Sequence, residues 1–134
     1  KELHALIKEH AKNRHVFFVF GGTDVEIRES VRAITEKKKD AIIVASYGTF
    51  STGVNIRNLH NIIFASPSKS QIRVLQSIGR GLRKSEDGRP TKIYDIADDL
   101  QWKSRKNYAL KHATDRIKIY AAEQFKYKIH ELQL

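Results

Sequence analysis

The chain has 134 residues, of which 40% are hydrophobic, and a formal net charge of +10 at pH 7. Such a chain suits one domain with one core, and its charge favours a polyanionic partner, either nucleic acid or an acidic surface. It contains no cysteine, which excludes disulfides, zinc ribbons and thiol redox chemistry, and no long apolar run predicts a membrane span, so we expect a cytoplasmic protein.

The first third of the chain predicts a helix, a buried strand and a second helix. The stretch ELHALIKEHAKN has apolar residues at helical spacing, and HVFFVF, from His15 to Phe20, is apolar and β-prone. A glycine turn in GGTD leads into the second helix, for which Thr23 and Glu26 form a capping box. The predicted apolar face of that helix consists of Ile27, Val31 and Ile34.

Three further short runs, DAIIVAS, NIIFAS and TKIYDIAD, are typical of parallel strands that are buried on both faces. Strands that alternate with helices predict right-handed crossovers. The expected fold is therefore α/β, a doubly wound parallel sheet with helices on both faces. Ligands of such sheets bind at the carboxyl ends of the strands, so the functional residues should lie at that edge.

After Asp99 the pattern changes to one long basic helix. Its predicted apolar face consists of Trp102, Ala109, Ala113, Ile117, Tyr120 and Tyr127. Its basic residues suit either a phosphate track or a merely solvated helix face, and they are Lys103, Arg105, Lys106, Lys111, Arg116, Lys118, Lys126 and Lys128. We expect a single domain over residues 1–134, with a sheet core over about 1–100 and a terminal helical extension over about 101–134.

The stretch QSIGRGLRK, residues 76–84, is predicted to be helical although its two glycines cost about 1 kcal/mol each. At the helical period, Gln76, Arg80 and Arg83 share one face. An amide and two guanidinium groups in one row suit a phosphate, which arginine binds in bidentate fashion. Gly79 and Gly81 would let a backbone or a nucleotide approach the helix closely. An ordinary solvated face with surface arginines is the alternative.

Several stretches together resemble one protein family. QSIGRGLR resembles the QxxGRxxR element of superfamily 2 helicases, and IIVASYGTFSTGVNIRNLHNIIFASP is similar to the element that precedes it. The tail YALKHATDRIKIYAAEQFKY extends the resemblance over most of the chain. Within the superfamily the chain is most similar to the recombination and branch-migration helicases of tailed phages. The resemblance implies a RecA-like fold and the second motor domain of an ATP-driven DNA helicase or translocase.

The resemblance also implies roles for individual residues. Arg80 and Arg83 would reach the terminal phosphates of ATP, with Gln76 in support. The positions near the nucleotide would be Gly53 and Asn55, and those near the nucleic-acid backbone would be Gly22, Ser46 and Thr52. Many members of the family have Asp where Asn55 stands and Thr where Ser46 stands, which puts the ribose or coupling contact of Asn55 in doubt.

Parts of a complete motor are missing from the sequence. It contains no GxxxxGK[ST] phosphate loop and no acidic DEx-type box. We therefore expect ATP with Mg²⁺ to be bound mainly by an N-terminal RecA-like domain outside this chain. The isolated domain is expected to be inactive as an ATPase. The absence of methionine, even at position 1, favours a piece of a longer protein.

The expected partners are that N-terminal domain and DNA, single-stranded or branched, or an RNA–DNA hybrid. A freestanding basic nucleic-acid-binding module without an ATPase role is the alternative from another class. A restriction-system translocase subunit or a repair helicase would carry the same motifs.

Other candidate sites are weaker. The acids of DIADDL, Asp95, Asp98 and Asp99, could suggest a two-metal nuclease site, but Asp98 is well placed as the cap of the terminal helix. The six histidines are dispersed without ligand spacing, so we expect no metal site. The run EKKKD suits a helix C-terminus and solvent, and no function is predicted for it.

Overall fold

The computed structural model describes residues 1–51, 56, 59–66, 88–99 and 107–133. Eight elements lie in these ranges and are numbered in chain order. They are α1 (Glu2–His10), β1 (Val16–Val19), α2 (Val25–Lys37), β2 (Ile42–Ala45), α3 (Tyr47–Ser51), β3 (Asn61–Phe64), β4 (Lys92–Asp95) and α4 (Tyr108–Ala122). None of the helices described is long and apolar enough to cross a membrane.

The strands pair in parallel, as predicted for an α/β fold. β1 pairs with β2 in a register that runs from Val16↔Ile42 to Val19↔Ala45. β3 pairs with β4 in the same way, from Asn61 opposite Lys92 onward. Among the described residues these pairings form two sheets of two strands each, with α2 as the crossover between β1 and β2. The mixed, parallel character of the fold is therefore confirmed.

The inward face of α2 differs from the predicted apolar stripe. Val31 is buried, but Ile27 is 52% exposed and Ile34 is 39% exposed, so the prediction was wrong for both isoleucines. The buried partner of Val31 is Thr35, whose hydroxyl donates to the carbonyl of Val31 at 2.7 Å. Val31, Arg28 and Arg32 instead line a cavity beside the sheet, where the stems of arginines can pack against apolar surface. That cavity is lined by Val19, Arg28, Val31, Arg32, Ile43, Ala45 and Ile56.

The start of α2 also differs from the prediction. Its N-cap residue is Asp24 and its side chain makes no capping hydrogen bond, so the predicted capping box of Thr23 and Glu26 is wrong. The Thr23 hydroxyl instead accepts from the backbone N–H of Phe20 at 3.0 Å, and the Thr23 N–H donates to the Phe20 carbonyl at 2.9 Å. Thr23 closes the glycine turn after β1, and its hydroxyl is thereby taken from the helix.

The second sheet packs one face against α4. Phe64 and Tyr120 are the buried residues of this core, and Tyr47, Ile62, Ile93 and Ile117 pack against them. Residues of the opposite face alternate with these, as the pleat requires. There Ile63 is 61% exposed and Tyr94 is 50% exposed. The prediction that these strands are buried on both faces therefore does not hold among the described residues.

The terminal helix is shorter than predicted. α4 begins after Asn107, whose side-chain oxygen accepts from the N–H of Leu110 at 3.1 Å, so Asn107 and not Asp98 caps this helix. It ends at Ala122, and Gln124 adopts a left-handed conformation with φ of 58°. Tyr127 lies beyond the helix, although its ring centroid remains 6.4 Å from that of Tyr120. The inward face over Ala109 to Tyr120 follows the predicted spacing.

Candidate nucleic-acid interface

Two of the predicted nucleic-acid residues lie at one edge of the first sheet. β1 and β2 are parallel neighbours, so their carboxyl ends lie side by side. The N–H of Ser46 donates to the carbonyl of Val19 at 3.2 Å and thereby ties the end of β2 to the end of β1. Gly22 follows β1 at the same edge, and both Gly22 and Ser46 are exposed. Gly22 and Ser46 therefore both follow the carboxyl ends of neighbouring strands, and their contact with a nucleic-acid backbone stays a prediction.

Ser46 stands at the junction of β2 and α3. Its hydroxyl shares a hydrogen bond of 2.8 Å with the hydroxyl of Thr49, and its carbonyl accepts from the Thr49 N–H at 3.0 Å. Thr49 is only 2% exposed, and its two hydrogen bonds to Ser46 stabilise this turn. Ser46 has one O–H to donate, so it can donate to a phosphate oxygen when the Thr49 hydroxyl is the donor of the hydrogen bond that they share.

The ring of Phe20 leaves no room for a side chain at Gly22. A Cβ atom on Gly22 would lie 2.7 Å from Cε2 of Phe20, so a side chain at position 22 would displace the ring. Phe20 is 43% exposed and stacks on Phe18 with centroids 5.4 Å apart, and Phe18 in turn lies 5.2 Å from the ring of His4. An exposed ring at this edge can stack on a nucleobase.

Sequence reasoning did not identify Phe20, because HVFFVF was interpreted as one buried run. The alternation of side chains along a strand was the available signal, since it places Phe18 and Phe20 on the same face. The run extends one residue past the end of β1 at Val19, and that residue, Phe20, is exposed.

The carboxyl edge is poor in positive charge. Among its described residues, 20–24 and 46–49, the only Asp, Glu, Lys or Arg is Asp24. Hydroxyl groups, backbone N–H groups and the ring of Phe20 are the features that could contact nucleic acid here. The positive charge of the chain is therefore located outside this edge.

A buried ionic group joins β4 to α4, and we call it the Asp95 cluster: Asp95, Arg116 and Tyr120. Arg116 is 1% exposed and donates from Nε to Oδ2 of Asp95 at 2.6 Å and from Nη2 to Oδ1 at 2.8 Å. The Tyr120 hydroxyl donates to Oδ2 at 2.6 Å. Fork-shaped bidentate pairing of this kind fixes geometry as well as charge.

The pKa values in the Asp95 cluster follow from this geometry. Burial, together with the hydrogen bond and negative charge of Asp95, raises the pKa of Tyr120 well above its ordinary value. Burial opposes the charged form of Arg116, but the hydrogen bond and charge of Asp95 outweigh it and raise the pKa of Arg116. Arg116 therefore remains a buried cation and is not available to phosphates.

The Asp95 cluster corrects two interpretations of the sequence. Arg116 was counted among basic residues that suit either a phosphate track or a solvated helix face, but it is buried and its charge is matched by Asp95. Asp95 was a candidate metal ligand with Asp98 and Asp99, but its carboxylate is occupied by Arg116 and Tyr120. Asp99 accepts from the side-chain amide of Asn107 at 2.6 Å. Across the described ranges, no three His, Asp or Glu residues are grouped to hold a metal ion.

The other members of the phosphate track divide into two groups. Lys111, Lys118, Lys126 and Lys128 are exposed, and Lys118 lies 3.7 Å from Asp115. The members outside the described residues are Lys103, Arg105 and Lys106, together with Trp102 of the predicted apolar face. The predicted nucleotide and motor residues also lie outside them, namely Thr52, Gly53, Asn55, Gln76, Arg80 and Arg83, with Gly79 and Gly81.

Comparison with known proteins identifies the class. The chain is 36% identical over 93 residues to a protein of Acanthamoeba polyphaga mimivirus described as an ATP-dependent RNA helicase. It is 30% identical over 88 residues to a protein of Methanocaldococcus jannaschii with the same description. These alignments cover 65% and 62% of this chain. The similarity to superfamily 2 helicases is thereby confirmed.

The similarity to one helicase extends further. The chain is 40% identical over 129 residues to the ATP-dependent DNA helicase UvsW of Enterobacteria phage T4, an alignment that covers 89% of this chain. The chain is therefore homologous to UvsW along most of its length. It spans 26% of UvsW and 17% and 11% of the other two relatives. No family model matches the chain, and no solved structure matches it.

Proposed function

We propose that this chain is the second RecA-like motor domain of an ATP-dependent DNA helicase or translocase. The observation that carries the proposal is the alignment with UvsW, at 40% identity over 89% of the chain. Similarity of that extent includes the strands and helices described above as well as the helicase motifs between them. A short shared motif would not account for it.

The proposed fold joins the two observed sheets into one doubly wound sheet. Both sheets are parallel, and β1, α2 and β2 form a β-α-β unit. Parallel strands connected by helices belong to layered α/β folds whose faces are covered by helices. A RecA-like sheet of this type would place the carboxyl ends of β1 and β2 at the functional edge.

In this proposal the nucleotide is shared with another domain. Arg80 and Arg83, supported by Gln76, would stabilise the charge that develops on the terminal phosphates, while Gly53 and Asn55 would approach the nucleotide. An N-terminal RecA-like domain would supply the phosphate loop and most of the contacts to ATP and Mg²⁺. The isolated chain would then lack hydrolytic activity.

The carboxyl edge of the first sheet would contact the nucleic acid. Gly22, Ser46 and Thr52 would approach the backbone, and the exposed ring of Phe20 would contribute a stacking surface. Support comes from the hydrogen bond between the Ser46 N–H and the carbonyl of Val19, which places Ser46 beside the end of β1, and Gly22 follows that end in the sequence. Hydroxyl and backbone contacts of this kind position a strand without reading its sequence.

The substrate is proposed to be DNA, single-stranded or branched, because UvsW, which aligns with 89% of the chain, is named as a DNA helicase. Branch migration, fork remodelling and the unwinding of RNA–DNA hybrids are the proposed activities of the complete protein. The two other relatives are described as RNA helicases, so an RNA strand is the comparison substrate in any assay.

DNA-stimulated ATP hydrolysis by the full-length protein that carries this chain tests the proposal. We expect Arg80→Ala to lower the rate on the order of a thousandfold while DNA binding remains, because loss of an arginine finger removes stabilisation of the transferred phosphoryl group. Arg89→Ala is the matched control, since Arg89 lies outside the motif and is exposed. An unchanged rate in Arg80→Ala would contradict the assignment of this helix face.

The same assay distinguishes the proposed motor domain from the alternative, a freestanding nucleic-acid-binding module. A freestanding nucleic-acid-binding module would bind DNA but would show no ATP hydrolysis in its complete form. Hydrolysis that DNA stimulates therefore supports the motor domain, and its absence in the full-length protein would favour the module.

A further inference from the structure

Basic residues from two separate chain segments meet at the amino ends of β1 and β2. One segment is the connection from α1 to β1, and the other is the end of α2 with the turn that follows it. Because α2 runs back along the sheet between two parallel strands, its C-terminus returns to the amino end of β1. We call this group the basic cluster; its members, all exposed, are Lys12, Arg14, His15, Lys37, Lys38 and Lys39.

Hydrogen bonds hold the two segments of the basic cluster together. Arg14 donates from Nε to the backbone carbonyl of Asp40 at 2.9 Å. Lys38 donates from Nζ to Nε2 of His15 at 3.0 Å, and the N–H of Ile42 donates to the carbonyl of His15 at 2.8 Å. The concentration of charge is therefore a product of the fold and not only of the run EKKKD.

The cations of the basic cluster form no salt bridge with any residue that the structure describes, although Asp40 follows Lys39 in the sequence. In these ranges none of its lysines, nor Arg14, forms an ion pair, whereas Arg32, Arg116 and Lys118 each do. Like charges held close together repel each other, and the repulsion is relieved when a polyanion or salt supplies negative charge. The carboxyl edge, by contrast, carries Asp24 and no described cation.

We propose that the basic cluster is a second nucleic-acid contact surface that binds the phosphate backbone of a duplex. The inference rests on the proposed function, and it adds a site at the end of the sheet opposite to Gly22 and Ser46. Each strand has four residues, about 13 Å, so the two surfaces are separated by more than the length of a strand. Duplex DNA carries a charge about every 1.7 Å, a density that matches clustered lysines without base recognition. A branched substrate offers a duplex arm in addition to the strand at the carboxyl edge.

Binding of the 134-residue chain to a 20-base-pair DNA duplex tests this inference, with fluorescence anisotropy measured at several salt concentrations. The variant is Lys12→Gln, Lys38→Gln and Lys39→Gln together, which keeps Lys37 in the last turn of α2. The control is Lys1→Gln, Lys8→Gln and Lys92→Gln together, which removes the same amount of charge from exposed lysines that belong neither to the basic cluster nor to the predicted phosphate track. Thermal unfolding of both variants verifies that they fold.

The expected result is a loss of affinity on the order of tenfold or more in the cluster variant, with a smaller loss in the control. The slope of log K against log salt should decrease in magnitude by about 0.9 for each phosphate that the variant no longer neutralises, hence by about 2.7 for three lysines. Polyglutamate, offered as a competitor at equal total charge, should displace the duplex less effectively than unlabelled duplex does.

Three results would overturn the inference. Equal losses in the two variants would mean that only net charge matters, and equal displacement by polyglutamate would favour an acidic protein as the partner. In both cases the proposed motor function would stand, because the Arg80→Ala assay tests it independently. Absence of duplex binding by the unaltered chain would overturn the second surface, and the strand-stimulated ATPase assay would still decide the motor assignment.

Discussion

The Asp95 cluster and the basic cluster place similar cations in opposite electrostatic situations. In the Asp95 cluster, the guanidinium of Arg116 is 1% exposed and is matched by a bidentate carboxylate and a tyrosine hydroxyl. In the basic cluster, Arg14 and four lysines are exposed and have no ion pair in the described part of the chain. A basic residue is therefore available to a ligand only where the fold does not pair its charge with a carboxylate. From the sequence alone, Arg116 was counted among the exposed basic residues of the terminal helix, and that prediction was wrong.

The largest effect that would test this comparison is expected from Asp95→Ala. Removing the carboxylate leaves Arg116 as a buried, uncompensated charge, so the free energy of unfolding should fall by about 3–5 kcal/mol. Urea unfolding of the 134-residue chain measures it. Asp115→Ala is the matched control, because its partner Lys118 is 74% exposed and exposed pairs contribute about 0–1 kcal/mol. Similar losses in the two variants would contradict the distinction.

A double replacement sharpens the same comparison. Nη1 of Arg116 is buried and has no hydrogen-bond partner among the described residues, so the hydrogen-bonding capacity of the pair is not fully used there. Asp95→Leu combined with Arg116→Met should therefore recover most of the stability that Asp95→Ala loses. Failure to recover it would mean that the hydrogen bonds of Tyr120 and the carboxylate contribute more than the neutralisation of charge.

A medium effect is expected from Tyr120→Phe. The variant loses the hydroxyl donor to Oδ2 of Asp95, a hydrogen bond to a charged group that contributes about 1.5–3 kcal/mol. The folded pKa of Tyr120 is raised above its ordinary value of 10.0, so the unfolded chain ionises first as the pH rises. This contribution to stability is fully present below the ordinary pKa and is lost as the pH rises toward the folded pKa.

The urea midpoint of Tyr120→Phe, measured between about pH 8 and about pH 11, tests this pH dependence. The difference in midpoint between the native chain and the variant should shrink as the pH rises, since only the native chain has a tyrosine to ionise at this position. Other tyrosines titrate equally in both proteins and cancel in the difference. A constant difference over this range would contradict the raised pKa.

The smallest effect is expected from the basic cluster itself. Neutralising Lys12, Lys38 and Lys39 removes repulsion between exposed cations, so the chain should gain a few tenths of a kcal/mol at low salt. The gain should vanish at high salt, since the Debye length falls from about 10 Å at 0.1 M to about 3 Å at 1 M. Thermal unfolding at both concentrations measures it. A loss of stability that is confined to low salt would indicate that the lysines have counter-ions, whereas an equal loss at both concentrations would be due to the lost hydrogen bond from Lys38 to His15.

Much of the local structure was determined by the sequence. The short apolar runs became β1 to β4 within a residue or two, because continuous β-prone stretches bounded by turns have few other stable conformations. The spacing of Ala109, Ala113, Ile117 and Tyr120 predicted the inward face of α4, because residues three or four apart lie on the same side of a helix. The helicase resemblance came from residue order alone, and the alignment with UvsW confirms it. The motor residues of QSIGRGLRK remain predictions.

The tertiary structure decided which polar groups are matched and which are not. Asp95 and Arg116 are 21 residues apart, and only the packing of α4 on β4 brings the carboxylate to the guanidinium. Likewise, the crossover through α2 brings Lys38 to His15, 23 residues earlier, and so creates the basic cluster. Hydrophobic periodicity specifies which face of an element is buried, but it carries no information about which charge on another element lies opposite. Charge pairing depends on distances across the fold, so the structure was needed to separate the structural cation from the available ones.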